Sequence, residues 1–174
     1  MNNILGGLFT SRLNMNLRED KHWSYGASTF FRDARGQRPF IAYASVQTDK
    51  TRESLAEVAK EFRGILADKP ITPDELEKVK KQQSLELAGT WETISAVSNS
   101  IEDLVSYGLP EDYFHTYASR VRSLTLEQVS AAAKKVLHPE NLVWVVVGDR
   151  AKIEPGTREL NFGDLRFLDA DGNP

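Results

Sequence analysis

A run of helix-like segments fills residues 49 to 137 and limits the folds open to this chain. Residues 49–69 place apolar side chains on one face and charged ones on the other, which is typical of a helix packed against a core. Residues 91–107 and 110–121 continue the helical spacing, and Gly89 is expected to end or kink the helix before them. Capping boxes mark two helix starts: Thr72 with Glu75, and Thr125 with Gln128. Any sheet must therefore be built from the flanks of this run.

Strand-like segments lie on both flanks. Residues 24–33 and 39–48 are rich in aromatic, threonine and small residues around a turn-like DARGQR, and they predict an antiparallel hairpin. An amphipathic helix is predicted before the hairpin, from Ile4 to about Glu19. The apolar run in 142-LVWVVVGD predicts a central strand covered on both faces. This order predicts an α+β fold, with helices packed on one face of a mainly antiparallel sheet.

The end of the chain is predicted to be less regular. Pro155 and Gly156 are expected to break the segment after residue 149. The run 161-NFGDLRFLDADG is expected to hold one short edge strand before a polar end.

The composition of the sequence argues against several classes of protein and of site. The 174 residues are 40% hydrophobic and 27% charged, with a net charge of -3, which suits one soluble globular domain. Lys and Arg are interspersed with Asp and Glu, so there is no basic footprint for nucleic acid. No apolar run reaches the roughly 18 residues of a membrane span. Cysteine is absent, which excludes disulfides, thiolate metal sites and a cysteine nucleophile.

A metal site is not predicted within this chain. The histidines are His22, His115 and His138, and no two of them have the i, i+4 spacing of a shared helix. His22 falls in a predicted helix-to-strand turn, and His138 falls at a helix end, where structural or solvated roles suffice.

Nucleotide-binding and serine-hydrolase motifs are also missing from the sequence. Gly6 and Gly7 match neither the G-x-G-x-x-G pattern nor the Walker spacing, and no G-x-S-x-G elbow occurs. The two glycines are instead expected to let a helix start pack closely against the sheet.

Arg18 and Tyr25 are the candidate site residues. Tyr25 follows Arg18 by seven positions, across a predicted helix end and strand start, so both side chains are expected at one edge of the sheet. A guanidinium fork and a phenol are hydrogen-bond donors that can hold a peptide carbonyl or a developing oxyanion. Spacing alone leaves open the alternative of a surface arginine and a half-buried tyrosine.

The run 5-LGGLFTSRLNMNLREDKHWSYGAS resembles the opening of the C-terminal half of M16 metallopeptidases, the pitrilysin and insulinase family that includes the mitochondrial processing peptidases. In that family a G-G-x-F-x-S-R-L helix leads into an arginine and, seven residues later, a tyrosine. Further segments have counterparts in the same order: 70-PITPDEL, 107-YGLPEDYF and 143-VWVVVGDR. The resemblance covers residues 4–150.

The resemblance implies one half of a two-part zinc enzyme. In the family, an N-terminal half carries zinc on an inverted H-x-x-E-H motif with a distant glutamate, and the glutamate within the motif activates the zinc-bound water. A C-terminal half of similar fold faces it across a peptide-binding chamber. Arg18 and Tyr25 match the positions in that half that hydrogen-bond the substrate backbone and help to stabilise the tetrahedral intermediate.

No H-x-x-E-H motif occurs in this sequence. The resemblance therefore implies a single C-terminal-type domain over residues 1–174, shortened at its N-terminal edge, that holds no cofactor and is inactive alone. Zinc is expected in an N-terminal domain or a separate subunit, and the substrate is expected to be a peptide. The alternative is a non-catalytic M16-like scaffold or partner subunit, which an upstream sequence without H-x-x-E-H would indicate.

Two further expectations concern the cellular location of the protein and its self-association. The tail 168-LDADG is similar to that of bacterial members that are often exported, which favours the periplasm. A sheet edge left open by the shortened start predicts self-association through its unpaired N–H and C=O groups.

Overall fold

The opening helical segment is divided into pieces. The structure is a computed structural model that describes residues 1–173, except for the side chain of residue 88. A π-helical turn, Asn3–Gly7, is followed by the extended residue Leu8. Helix α1 (Arg12–Asn14) then continues directly into a second π-helical turn, Met15–Asp20. The single helix predicted from Ile4 to Glu19 is therefore interrupted between residues 8 and 11.

An antiparallel hairpin follows, as predicted. Strand β1 (Ser24–Phe31) pairs with strand β2 (Phe40–Val46). The face that carries Ala27 packs against the opening segment, while Phe30 and Tyr43 on the opposite face are exposed. Helices therefore cover one face of the sheet, which confirms the predicted α+β arrangement.

Gly6 allows the opening π-helical turn to approach β1. A Cβ added at this residue would lie 2.6 Å from the backbone nitrogen of Thr29, well inside van der Waals contact. The Thr29 hydroxyl also donates a hydrogen bond to Asn2 Oδ1 at 2.7 Å. The predicted close packing of a glycine-containing helix start against the sheet is confirmed at Gly6.

The later helices lie near their predicted positions. They are α2 (Thr51–Gly64), α3 (Pro73–Glu86), α4 (Ile94–Tyr107), α5 (Tyr113–Ser123), α6 (Leu126–Val136) and α7 (Arg150–Glu159). Short 3-10 turns lie at Thr48–Lys50, Leu87–Gly89 and Pro139–Asn141. Both predicted capping boxes are present, at the starts of α3 and α6. In the part of the chain that the structure describes, none of the helices has the length and apolar character that a membrane crossing needs.

Among the described residues, two apolar clusters form the core, and the opening segment contributes to both. In the smaller cluster, Leu13 and Leu17 pack against Ala27 of β1. The larger cluster joins the first π-helical turn to α2, α3 and α6. Its buried members are Ile4, Leu5, Phe62, Ile65, Ile71, Leu76, Val129, Ala133 and Leu137. The opening segment thus connects the hairpin to the helical layer.

Residues 142–147 are extended but form no strand, so the predicted central strand is wrong. Among the described residues the sheet contains only β1 and β2, and no backbone hydrogen bond joins 142–147 to another segment. Leu142 reaches the larger cluster, and Trp144 stacks on Phe162 with ring centres 5.1 Å apart. The valines between them are exposed: Val143 by 90%, Val145 by 82% and Val147 by 92%. Half-buried and exposed side chains alternate along residues 142–147 as they do in a strand. A β-ladder, however, also needs a neighbouring strand to hydrogen-bond with.

Helix α7 runs through Pro155 and Gly156, where the sequence predicts a break. The side chain of Asp149 caps its start. Gly156 packs against the Arg52 side chain of α2, which also pairs with Glu159 at 3.2 Å. These contacts offset the helical hydrogen bond that proline cannot make. The edge strand predicted after residue 160 is not formed in the described residues.

Candidate functional site

Arg18 lies in the second π-helical turn and stacks on an aromatic ring. Its guanidinium carbon is 4.6 Å from the centre of the Phe9 ring, and its Nε is 3.4 Å from Glu19 Oε1. The side chain is 39% exposed. Stacking on a ring face restrains the guanidinium while its edge N–H groups stay available for hydrogen bonds. Arg18 is therefore a restrained, solvent-accessible donor.

Tyr25, the second residue of β1, points into solvent. Its side chain is 97% exposed, whereas Ala27 and Thr29 are only 5% and 2% exposed. Side chains two residues apart in a regular strand share a face, so an unbroken β1 would direct Tyr25 toward the same buried side. The ring therefore faces opposite to the direction that the strand pattern predicts.

A β-bulge accounts for the outward direction of Tyr25. Ser24 pairs with Val46 and Ala27 pairs with Ala44, and the register shifts between these two pairs. Two residues of β1 consequently lie opposite one residue of β2, which defines a bulge. Bulges re-aim side chains and are frequent beside active sites. The structure thus presents Tyr25 by a local irregularity of the strand.

A tight turn joins the element that carries Arg18 to the strand that carries Tyr25. Within it, His22 adopts a left-handed conformation with a φ of 56°. The backbone nitrogen and ring Nδ1 of His22 lie 3.2 and 3.0 Å from the carbonyl oxygen of Arg18. Gln47 donates from Nε2 to the His22 carbonyl at 3.0 Å. The turn is well anchored, although the contacts of the described residues include none directly between Arg18 and Tyr25.

Glu57 of α2 anchors the π-helical turn from the other side. Its Oε2 accepts a hydrogen bond from Asn16 Nδ2 at 2.8 Å, and its Oε1 lies 3.8 Å from Lys21 Nζ. Burial raises the pKa of Glu57, but the Asn16 hydrogen bond and the charges of Lys21 and Lys60 outweigh it, so the pKa falls below its ordinary value. Glu57 is therefore ionised at neutral pH and ties the Arg18 turn to α2.

The histidines do not converge on a common point. Over residues 1–173, no group of three or more His, Asp or Glu side chains is arranged to hold a metal ion. His138 Nδ1 instead lies 3.5 Å from Glu140 Oε1 at the surface. The described residues do not supply a ligand set for zinc.

The sequence makes Arg18 and Tyr25 candidates, but it did not predict the bulge or the side chains that bond to it. Gly26 directly follows Tyr25, and a glycine inside a strand pattern is a recognised signal for a bulge. Asn14 could not be recognised as easily. A polar residue in an amphipathic segment is usually exposed, whereas the Asn14 side chain is buried. Its role depends on a partner thirteen residues away, which periodicity does not predict.

A family comparison agrees with this architecture. Residues 1–83 match the model of the peptidase M16 inactive domain. That range contains the opening helical segment, the hairpin, α2 and most of α3. No curated protein matches the chain significantly.

Several solved structures share the fold over most of this chain. The peptidase M16 inactive domain from Pseudomonas fluorescens has a TM-score of 0.71 and 26% identity, over 79% of this chain and 33% of that one. A putative zinc protease from Bordetella pertussis Tohama I has a TM-score of 0.64 and 22% identity, over 80% of this chain and 77% of that one. The periplasmic protease PqqL from Escherichia coli has a TM-score of 0.59 and 20% identity, over 72% of this chain and 14% of that one. This chain thus spans only 33% of the length of the Pseudomonas chain.

Proposed function

We propose that this chain, which is a C-terminal domain of the M16 peptidase family, acts as the half of a zinc endopeptidase that binds no metal. It closes a peptide-binding chamber and offers hydrogen-bond donors to the substrate backbone. An N-terminal zinc-bearing domain or subunit supplies the metal, the attacking water and the general base. The chain is then inactive by itself.

The outward direction of Tyr25 is the observation that carries this proposal. A tyrosine that is 97% exposed contributes nothing to the core of the hairpin. The bulge that exposes it departs from regular strand pairing, and bulges, which are frequent at sheet edges, are also frequent beside active sites, where they re-aim a side chain. Arg18, on the preceding element, is likewise accessible and restrained by Phe9. Both donors are available to a molecule outside this chain.

The two donors suit different stages of peptide hydrolysis. The planar fork of Arg18 can hold a substrate carbonyl before and during the reaction. The Tyr25 hydroxyl can donate to the scissile carbonyl oxygen, which gains negative charge when water attacks. A hydrogen bond to that oxygen is stronger in the transition state than in the ground state, so it accelerates the reaction.

Exposed apolar surfaces support an association with a second domain. Helix α4 turns Ile94, Ile101 and Val105 into solvent along one face. Large contiguous apolar patches are rare on soluble monomers and usually mark interaction sites. The surface of α4 is therefore suited to a chain that forms one half of a larger enzyme.

A peptidase assay of the enzyme that contains both halves tests the proposal. The Tyr25→Phe variant removes one hydroxyl and keeps the ring, so folding should be unchanged. We expect kcat to fall by about 10²–10³, with a smaller change in KM. Tyr113→Phe, which removes a hydroxyl from α5, a helix that carries neither candidate donor nor the apolar face of α4, is the matched control and should retain full activity.

Two results would contradict the proposal. An unaltered kcat and kcat/KM in Tyr25→Phe would mean that the tyrosine has no catalytic role. An assembled wild-type protein without any peptidase activity would favour the scaffold alternative.

A further inference from the structure

We infer that Asn14 and Ser24 are positioning residues that lock the β-bulge and so fix the direction of Tyr25. The inference rests on the proposed function of Tyr25 and adds the residues on which the site depends. Neither side chain is expected to touch the substrate. Their effect passes through the backbone on either side of the tyrosine.

Asn14 fastens the bulge to the break in the opening helical segment. Its side chain is only 4% exposed. The amide Nδ2 donates to the carbonyl of Phe9 at 2.7 Å, and Oδ1 accepts the backbone N–H of Ala27 at 3.1 Å. One buried amide thus satisfies a carbonyl at the helix break and an N–H where regular pairing of β1 resumes. An apolar residue of the same size would leave both groups unsatisfied.

Ser24 closes the bulge from its other end. Its hydroxyl oxygen accepts the backbone N–H of Gly26 at 3.0 Å. The same oxygen lies 2.7 Å from the carbonyl oxygens of Gly26 and of Ser45 on β2, to either of which its hydrogen can be donated. Ser24, which precedes Tyr25, is therefore bonded to Gly26, which follows it. Ser24 also lies within hydrogen-bonding distance of Ser45 on the facing strand.

These contacts fix the backbone on both sides of Tyr25. With its flanking peptides held, the Cα–Cβ bond of Tyr25 has one direction, and only the side-chain torsions remain free. A donor that is already oriented stabilises developing charge without reorganisation during the reaction. The core of the hairpin, from Ala27 to Phe31, lies beyond the bulge. Loosening the bulge should therefore misdirect Tyr25 while the hairpin stays folded.

The test compares single and double variants in the enzyme that contains both halves. Ser24→Ala should lower kcat by about 10-fold to 100-fold, with KM changed much less, because a misplaced donor weakens mainly the transition-state contact. Ser24→Thr keeps the hydroxyl and should recover most of the rate. Ser28→Ala, on the same strand outside the bulge, is the control and should be fully active.

A double variant separates positioning from any other role. In a Tyr25→Phe background, Ser24→Ala should cause little further loss, because the hydroxyl that Ser24 directs is already gone. Hydrogen exchange of the peptide that contains Gly26 and Ala27 should become faster in Ser24→Ala and in Asn14→Ala. Thermal melting identifies any variant that has lost its fold, and the Ser24 series decides the question if Asn14→Ala is one of these.

The outcomes distinguish this inference from the proposed function. If Tyr25→Phe is fully active, the proposed function fails and the inference fails with it. If Tyr25→Phe is slow but Ser24→Ala is fully active, or if the losses in the double variant simply multiply, only the positioning role is wrong. Unchanged exchange at Gly26 in Ser24→Ala would also overturn it.

Discussion

The guanidinium of Arg12 holds the carboxylate of Glu75 in a two-pronged hydrogen bond, Nε to Oε1 and Nη2 to Oε2, each at 2.7 Å. The same guanidinium donates to the carbonyls of Lys69 and Pro70. Glu75 in turn accepts the backbone N–H of Thr72 and completes the capping box of α3. One arginine therefore ties the opening helical segment to the start of a helix far along the chain.

Replacing Arg12 should destabilise the protein strongly. Arg12→Ala leaves the partly buried Glu75 carboxylate and two carbonyls without their donor, which should lower the free energy of unfolding by about 2–3 kcal/mol. Arg38→Ala is the matched control, because its ion pair with Asp33 is solvent-exposed and should be worth less than about 1 kcal/mol. Urea unfolding of both variants provides the comparison. Equal losses would mean that the Arg12 contacts are no more stabilising than a surface pair.

Stability should decline in acid through Glu75. Burial raises the pKa of this carboxyl, but the hydrogen bonds from Arg12 and Thr72 and the charge of Arg12 outweigh it, so its pKa lies below the ordinary value. The unfolded chain binds the proton more readily, so this stabilisation is complete above the ordinary glutamate pKa of about 4.3 and is lost as the pH falls below it.

A neutral substitution isolates this pH effect. Glu75→Gln preserves a capping-box residue but removes the charge. Its free energy of unfolding should be lower than wild type at neutral pH and should converge on the wild-type value as the pH falls. If the two free energies of unfolding differed by the same amount at neutral pH and at pH values well below about 4.3, the pH effect would not come from Glu75.

The isolated chain should self-associate through residues 142–147. This extended segment carries no charge, proline or glycine, and its backbone makes no hydrogen bond to another described segment, so it can pair with a strand of a second copy. Val145→Lys should shift light scattering toward the monomer. Val105→Lys, at an exposed valine on α4, controls for general apolar attraction and should have a smaller effect. A strictly monomeric wild type at high concentration would refute the prediction.

Arg18 should contribute to substrate affinity as well as to rate. In the enzyme with both halves, Arg18→Ala is expected to raise KM and lower kcat, because the fork holds the peptide before and during reaction. Arg32→Ala removes the same charge from an exposed position just after β1 and should leave both constants unchanged. A normal KM in Arg18→Ala would show that Arg18 does not hold the ground-state substrate.

The isolated chain should bind no stoichiometric zinc. The described side chains provide no converging set of His, Asp or Glu ligands, and tight zinc sites require three or four such groups. Metal analysis after dialysis against a weak chelator should therefore return far less than one zinc per chain. About one tightly held zinc per chain would show that a ligand set had been overlooked.

Local signals in the sequence predicted local structure well. The capping boxes at Thr72 and Thr125 lie where the sequence places them, because each involves residues only three positions apart. Gly6 packs against the sheet as expected, because this close approach requires only that the residue itself has no side chain.

The errors arose where distant contacts decide the structure. The continuous apolar run at residues 142–147 is typical of a buried strand, but pairing depends on a neighbouring strand that the pattern cannot identify. Pro155 predicts a break, yet packing of α7 on Arg52 maintains the helix. The family motif makes Arg18 and Tyr25 candidates, whereas the buried hydrogen bond from the Ala27 N–H to Asn14 beside the bulge joins residues that no local pattern connects.

Under the proposed function, the bulge at Tyr25 also allows the side chain needed for chemistry to change without affecting the residues needed for folding. Because residue 25 has left the buried face of β1, the side chain at this position can change without disturbing the hairpin core. A lineage that no longer needed the hydroxyl could lose the tyrosine by drift and keep a well-folded domain. The identity of residue 25 in a relative would then record whether its ancestors retained the activity, independently of how stable the protein is.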